Sequence, residues 1–281
     1  MSAFEHASRA TKGARSYQED TALFWSGPEV AHSERAANGD GATVLAVLAD
    51  GMGGHAGGAL ASRMACETFV KAYAGQDGSN RERLVEALTA ANQAIADTVD
   101  ADPMLAGMGS TLVAVAFGAE GIEWVSVGDS PLMLYRRGEI ALLNEDHSLA
   151  PELDRLVAAG AISPEDAKRD PRRHMLRSAV TGDDIDLVDL SRRPLRIEPG
   201  DYIILASDGL QTLEPAEIER IVAAYAEDGA VAVANALIRA VEGLKDPHQD
   251  NATVIAVRSV PQPAHETAAA ERADGGRTED R

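Results

Sequence analysis

The chain has 281 residues and 45% hydrophobic content, enough for a sizeable core and too much for wholesale disorder. Its 26 basic against 45 acidic residues give a net charge of −19, which repels nucleic acid and anionic membrane surfaces. No apolar run approaches the roughly 18 residues of a membrane span, the first residues lack the apolar segment of a secretory signal, and a single cysteine, Cys66, excludes both an internal disulfide and a Cys-based zinc site.

In chain order, apolar or β-branched runs bounded by Gly, Asp or Ser predict strands over residues 21–25 and 43–49. Helical periodicity follows over 58–73, where Leu60, Met64, Phe69, Val70 and Tyr73 share one side. It recurs over 81–99 with Leu84, Val85, Leu88, Ala91, Ile95 and Val99. Strands are then predicted over 111–117, 122–127, 132–136, 139–143, 186–190 and 202–206, with hairpin turns at 118–121 and Arg137-Gly138. Helices over 215–226 and 230–241 precede a last strand over 252–258. Strands joined by tight turns, alternating with two helical pairs, fit an α+β fold better than a wound βαβ sheet. The expected architecture is an αββα sandwich, two antiparallel β-sheets flanked by helical pairs. Residues 1–260 read as one domain; residues 261–281 hold no large apolar side chain and read as a disordered tail.

Four aspartates adjoin the predicted strands: Asp20, Asp50, Asp208 and Asp250. One aspartate at a strand end is usually a turn or cap residue. Four that converged on one sheet edge would need a cation to stay ionised, and an all-oxygen set suits Mg²⁺ or Mn²⁺ rather than Zn²⁺. Other chemistries fit poorly. Gly51-x-Gly53-x-x-Ala56 matches a dinucleotide fingerprint in form, but no second parallel strand with a ribose-binding acid follows its helix. Cys66 lacks the arginine six positions on that a thiol phosphatase requires, since residue 72 is Ala. No Gly-x-Ser-x-Gly elbow is present.

Further short motifs join these aspartates. They are Arg15-Ser16-Tyr17-Gln18-Glu19-Asp20, Asp50-Gly51-Met52-Gly53-Gly54-His55 with Ala61-Ser62, Gly109-Ser110-Thr111, Val127-Gly128-Asp129-Ser130, Glu145-Asp146-His147-Ser148, Ser207-Asp208-Gly209-Leu210 and Asp250-Asn251. In this order the sequence resembles the metal-dependent serine/threonine protein phosphatases, the PPM or type 2C family, in its bacterial form. The resemblance implies two tightly held Mn²⁺ or Mg²⁺ ions and a possible third. Asp50 would bridge the pair, with the Gly51 carbonyl on one ion and Asp208 and Asp250 on the other. Asp20 and Glu19 would hold metal-bound waters, and Asp129 with Asp208 would take the third ion. Arg15 would grip the substrate phosphate while a metal-activated water attacks phosphorus.

Phosphorylated proteins are the implied partners, through reversal of a bacterial Ser/Thr kinase. A phosphatase of regulatory switch proteins of the anti-sigma antagonist type, or a non-catalytic phosphoprotein-binding module, are the alternatives. A cytoplasmic monomer is expected, with neither nucleic acid nor membrane as partner. Three residues depart from the family pattern. Met52 replaces a histidine proposed as general acid in many eukaryotic members, which leaves the proton donor unassigned; a metal-bound water or His55 could serve, and His55 at a helix start also reads as a structural residue. Pro131 replaces the arginine common after Gly-Asp-Ser, and Ala59 replaces an acid. Residues 147–182 correspond to the family's flap. Its basic stretch, 168–177, is read either as a solvated loop or as a rim that attracts acidic phosphopeptides.

Overall fold

A computed structural model describes residues 3–27, 44–53 and 56–260; the tail at 261–281, Thr43 and His55 lie outside the described residues. The chain runs through β1 (Ala3–Thr11), β2 (Asp20–Trp25) and β3 (Val44–Met52), then α1 (Ala56–Gly75) and α2 (Asn80–Ala101). Next come β4 (Gly109–Ser110), β5 (Leu112–Gly118), β6 (Gly121–Val127), β7 (Leu132–Arg136) and β8 (Glu139–Leu142). Two short helices, α3 (Ala150–Ala158) and α4 (Pro164–Arg169), precede β9 (Asp189–Leu190) and β10 (Tyr202–Ala206). Helices α5 (Pro215–Tyr225) and α6 (Ala230–Leu244) lead to β11 (Ala252–Val260). Among the described residues no helix is long and apolar enough to cross a membrane.

Strand side chains point alternately to opposite faces, so each buried strand divides its apolar residues between two layers. In β3, Leu45, Val47 and Ala49 pack against α1 and α2, while Ala46 and Leu48 face the other sheet. Tyr202, Ile204 and Ala206 of β10 pack under α5 and α6, while Ile203 and Leu205 turn inward. The result is three apolar layers between four structural ones, the expected αββα sandwich. One sheet runs β1-β11-β10-β7-β8 and the other β2-β3-β5-β6-β9, with β4 paired to β3, and every pair is antiparallel. Helix α2 starts where Ser79 and Glu82 close a capping box.

Four elements differ from the sequence expectation. Strand β1 was not predicted, because its alternation is masked by Glu5, His6 and Arg9; it is held along its whole length by β11 at the edge of the sheet. Helices α3 and α4 lie in the stretch expected as a loop-like flap. Ser163 caps α4 by accepting from the Asp166 N–H at 3.1 Å, and Pro164 opens its first turn. The strand over 186–190 shrinks to Asp189–Leu190, the only part that β6 reaches. Val85 is 41% exposed, because Leu84, Leu88, Ala91 and Ile95 already fill the buried stripe of α2.

Candidate active site

The antiparallel registers bring one end of both sheets together. Asp20 opens β2 directly opposite Asp50 near the end of β3. Asp129 follows β6, Asp208 follows β10, and Asp250 precedes β11. Asp50, Gly51, Asp208 and Asp250 line a cleft of about 760 Å³, with Arg15 and Glu19 on its wall and Asp129 further along. Asp20 stands behind them, 9% exposed. All eight residues singled out from sequence therefore meet at one place.

The short motifs form the frame of this cleft. Asp50 donates its N–H to Thr111 Oγ1 at 3.0 Å, and its carbonyl accepts from the Thr111 N–H at 2.9 Å and Ser110 Oγ at 2.8 Å. Thr111 Oγ1 in turn meets Ser130 Oγ at 2.7 Å, joining the Gly-Ser-Thr and Gly-Asp-Ser segments. Ser207 Oγ donates to Asp20 Oδ2 at 2.7 Å and ties one sheet to the other. Asn251 accepts the Glu19 N–H at 2.7 Å and donates to the Lys12 and Tyr17 carbonyls, so it fixes the loop carrying Arg15. A Cβ on Gly51 would collide with the Gly58 carbonyl oxygen, which is why this turn takes glycine. Gly128, at φ +101°, makes paired bonds with His147: its N–H donates to Nδ1 at 3.2 Å and its carbonyl accepts the His147 N–H at 3.1 Å.

Burial and mutual repulsion raise the carboxyls of this cleft. Desolvation pushes Asp20 up to about 6, with Asp208 adding to it, and pushes Asp129 up to about 7, with Asp208 and Asp146 adding. Desolvation, then Asp20, Asp208, Asp129 and Asp250, drive Asp50 well above the carboxylate range. Asp208 is raised by burial and by Asp250. Asp50 lies within hydrogen-bonding reach of both Asp20 and Asp208. The one guanidinium paired here, Arg15, reaches Asp250 Oδ2 at 2.5 Å, with its side chain 54% exposed.

Divalent cations fit this donor set. Every charged donor is a hard carboxylate oxygen, and Glu19 Oε1 and Asp20 Oδ1 are buried with no hydrogen-bond partner. Among the described residues no three Asp, Glu, His or Cys side chains close into a ready-made shell around one point. An open ring suits Mg²⁺-like ions, which keep several waters and take one or two carboxylates each. Cys66 is buried, and burial pushes its thiol far up, so it offers no nucleophile.

Two sequence expectations change. The stretch holding Arg172 and Arg173 was read either as a solvated loop or as a basic rim; each of the two arginines is engaged by a carboxylate at 2.8 Å, Asp170 and Asp154 respectively, which takes charge from a rim. From the basic stretch only His174 to Arg177 reach the cleft lining. Sequence reasoning also passed over Asp183, Asp184 and Asp186, which line the cleft's far side. Their clustering in Gly182-Asp183-Asp184-Ile185-Asp186 was the available signal. Met52 packs its terminal methyl against Gly109 at the cleft wall and carries no proton to give.

The fold and cleft together define a class: an αββα protein with a carboxylate-lined cleft at its converging sheet ends. The protein phosphatase 2C family model matches residues 31–245, and the chain belongs to that family. It is 36% identical over 216 residues to the serine/threonine protein phosphatase PstP of Mycobacterium tuberculosis, a match covering 76% of this chain but only 40% of that relative's length. Protein phosphatase PhpP of Streptococcus pneumoniae is 34% identical over 180 residues, 63% of this chain and 70% of its own. Among solved structures, the catalytic domain of PstP in complex with 2 manganese ions gives a TM-score of 0.72 at 28% identity, covering 93% of this chain and all of that one. The phosphatase MsPP of Mycobacterium smegmatis, in complex with cacodylate, gives 0.69 at 28% identity over 92% of this chain and 98% of its own.

Proposed function

We propose that this chain is a protein-serine/threonine phosphatase that hydrolyses phosphoserine and phosphothreonine in proteins with Mn²⁺ or Mg²⁺. The observation that carries this reading is the ring of carboxylates around Asp50, raised by burial and one another, with the exposed Arg15 guanidinium paired at its edge to Asp250. Asp50, the Gly51 carbonyl, Asp208 and Asp250 would hold two ions, Asp20 and Glu19 their waters, and Asp129 with Asp208 a third. When bound, the ions supply a nucleophile from water near neutral pH and offset charge on the phosphoryl oxygens.

The chain's own residues do the rest. Arg15 leaves its exposed pair with Asp250 to take two phosphoryl oxygens in bidentate fashion, an exchange that costs little because surface pairs are weak. The Ser110 and Thr111 clamp keeps the Asp50 backbone from shifting as charge develops. His174, the one imidazole on the cleft lining among the described residues, is close enough for its charge to act on Asp208; it donates the proton that the leaving serine or threonine oxygen needs. Residues 1–260 act as one catalytic domain with 147–182 as its flap. In the cell the chain would work as a cytoplasmic monomer, reversing a Ser/Thr kinase in a signalling pathway.

The test is phosphate release from a phosphothreonine peptide with Mn²⁺, with Mn²⁺ plus excess EDTA, and with Asp208→Asn. Turnover lost in both controls is expected. Silence of folded, Mn²⁺-loaded wild type on several phosphopeptides would instead make the chain a phosphoprotein-binding module.

A further inference from the structure

A second cavity, about 350 Å³, opens beside the cleft, and Asp129 lines both. Gln211 Nε2 donates to the Asp129 carbonyl at 3.3 Å and holds the partition between them. Met133 and Ile140 of the β7–β8 hairpin form one wall, with Leu213 and Ile218 opposite. Leu142 stands at the lip, 57% exposed, on the outermost strand of its sheet. Among the described residues, the only charged side chains in the lining are the carboxylates of Asp129 and Asp146.

The neighbouring cleft differs in carrying the carboxylates of Asp50, Asp208 and Asp250 and the guanidinium of Arg15 on its walls. A site of this size with apolar walls binds by removing apolar surface from water. The exposed Leu142 extends these apolar walls outwards to the surface.

We infer that this cavity is a specificity subsite, which takes an apolar side chain of the phosphoprotein substrate, of leucine or methionine size, near the phosphoresidue. The inference rests on the phosphatase reading and extends it to the sequence around the phosphate. A peptide laid across the cleft advances about 3.3 Å per residue, so a neighbour of the phosphoresidue passes the Asp129 partition within a few positions. Acidic side chains are repelled there by Asp146, and no lysine or arginine lines the cavity to receive them. Chemistry at the cleft and recognition beside it are thus divided by a single residue.

The experiment compares phosphothreonine peptides with Leu, Ala, Glu or Lys at each flanking position, reading kcat/KM with the Mn²⁺-loaded full chain. At one position Leu should exceed Ala by about tenfold, the range that one well-seated apolar side chain provides, and Glu should fall below Ala. Leu142→Glu places a charge at the exposed lip without threatening the core, and Pro131→Arg fills the cavity floor. Both should bring the Leu-to-Ala ratio towards one. A ratio near one at every position in wild type overturns the subsite, as does a Leu preference untouched by both variants. A preference for Lys over Leu also overturns it and gives the cavity to a cation drawn by Asp129 and Asp146. Wild-type turnover of a small aryl phosphate separates the two levels: present without peptide discrimination, only the subsite falls; absent on every substrate, the phosphatase reading falls and takes the subsite with it.

Discussion

Among the described residues, carboxylates are buried in two regions, and only one region gives them a cationic partner. At the far side of the β7–β10 pair, Asp201 is almost fully covered, and Arg136 bonds it through Nε at 3.0 Å and Nη2 at 2.6 Å. Asp201 also accepts the Glu198 N–H at 2.6 Å. That is a satisfied ion pair, the ordinary way a protein tolerates a buried charge. In the cleft, Asp20, Asp50, Asp129 and Asp208 are gathered with no such cation, and their protonation is forced upward as a result. A fold that can place Arg136 against Asp201 could place an arginine against Asp50 as well. Carboxylates left without one fit the proposed role of this cleft, to hold a cation that comes from solution.

Substitutions in the two regions should have opposite effects on activity and stability. Asp50→Asn should lower phosphopeptide turnover by roughly 10³-fold while raising the melting temperature of the EDTA-treated chain, because one repelling carboxylate is gone. Arg136→Ala should do the reverse, costing about 3 kcal/mol of stability by stranding Asp201 and leaving turnover intact below the melting transition. Differential scanning calorimetry beside a phosphate-release assay reads both. A metal-free Asp50→Asn chain less stable than wild type would sink the distinction.

Smaller effects sharpen it. Arg15→Ala should reduce kcat/KM by roughly 10²-fold, yet change stability by only about 0.5 kcal/mol, since its pair with Asp250 is exposed. An equal loss in both quantities would make Arg15 a structural residue. His174→Gln should slow phosphothreonine peptides by roughly tenfold or more and slow an aryl phosphate much less, because an aryl leaving group departs without a proton. Equal slowing of both substrates would remove His174 as the donor.

The parts of this architecture that were legible in the sequence are those where one physical signal dominates. The buried strands are short continuous apolar runs bounded by turn residues, as strands covered on both faces are, and α1 and α2 repeat with helical period, so the alternation of strand and helix pairs was open to reading from pattern. The aspartates were visible as strand-end residues, yet their convergence depends on register: Asp20 faces Asp50 only because β2 and β3 pair antiparallel at that offset. The family resemblance supplied what pattern did not. Strand β1 escaped because partners on both faces, such as the His6–Phe24 stack, replace the apolar alternation that strands usually advertise. The state of Arg172 and Arg173 was illegible for a different reason: charge counting along a segment cannot see Asp154 arriving from another helix. The apolar cavity was hidden likewise, since its walls come from the β7–β8 hairpin, the turn after β10 and α5, which are distant in sequence.

The finest effect concerns how the turn carrying Asp129 is held. His147 is 3% exposed and accepts the Gly128 N–H at Nδ1, so it is neutral with its proton on Nε2. Its own carbonyl accepts the Arg177 N–H at 2.8 Å, which joins the same turn to the flap. Burial lowers its pKa below the ordinary 6.5 and Arg177 pushes the same way, while Asp189, Glu145 and Asp146 oppose them. As pH falls below 6.5 the unfolded chain takes up this proton first. The stability that neutral His147 contributes is therefore complete above 6.5 and is lost as pH falls through the lower folded-state value. His147→Asn keeps an oxygen acceptor for Gly128 but binds no proton in this range. Melting temperatures of both chains in EDTA, followed between about pH 7.5 and about pH 5, should converge as the wild type alone pays for protonation. Curves that stay parallel would mean that the imidazole is protonated as easily inside the fold as outside it, and that the Gly128 bond does not depend on the neutral ring.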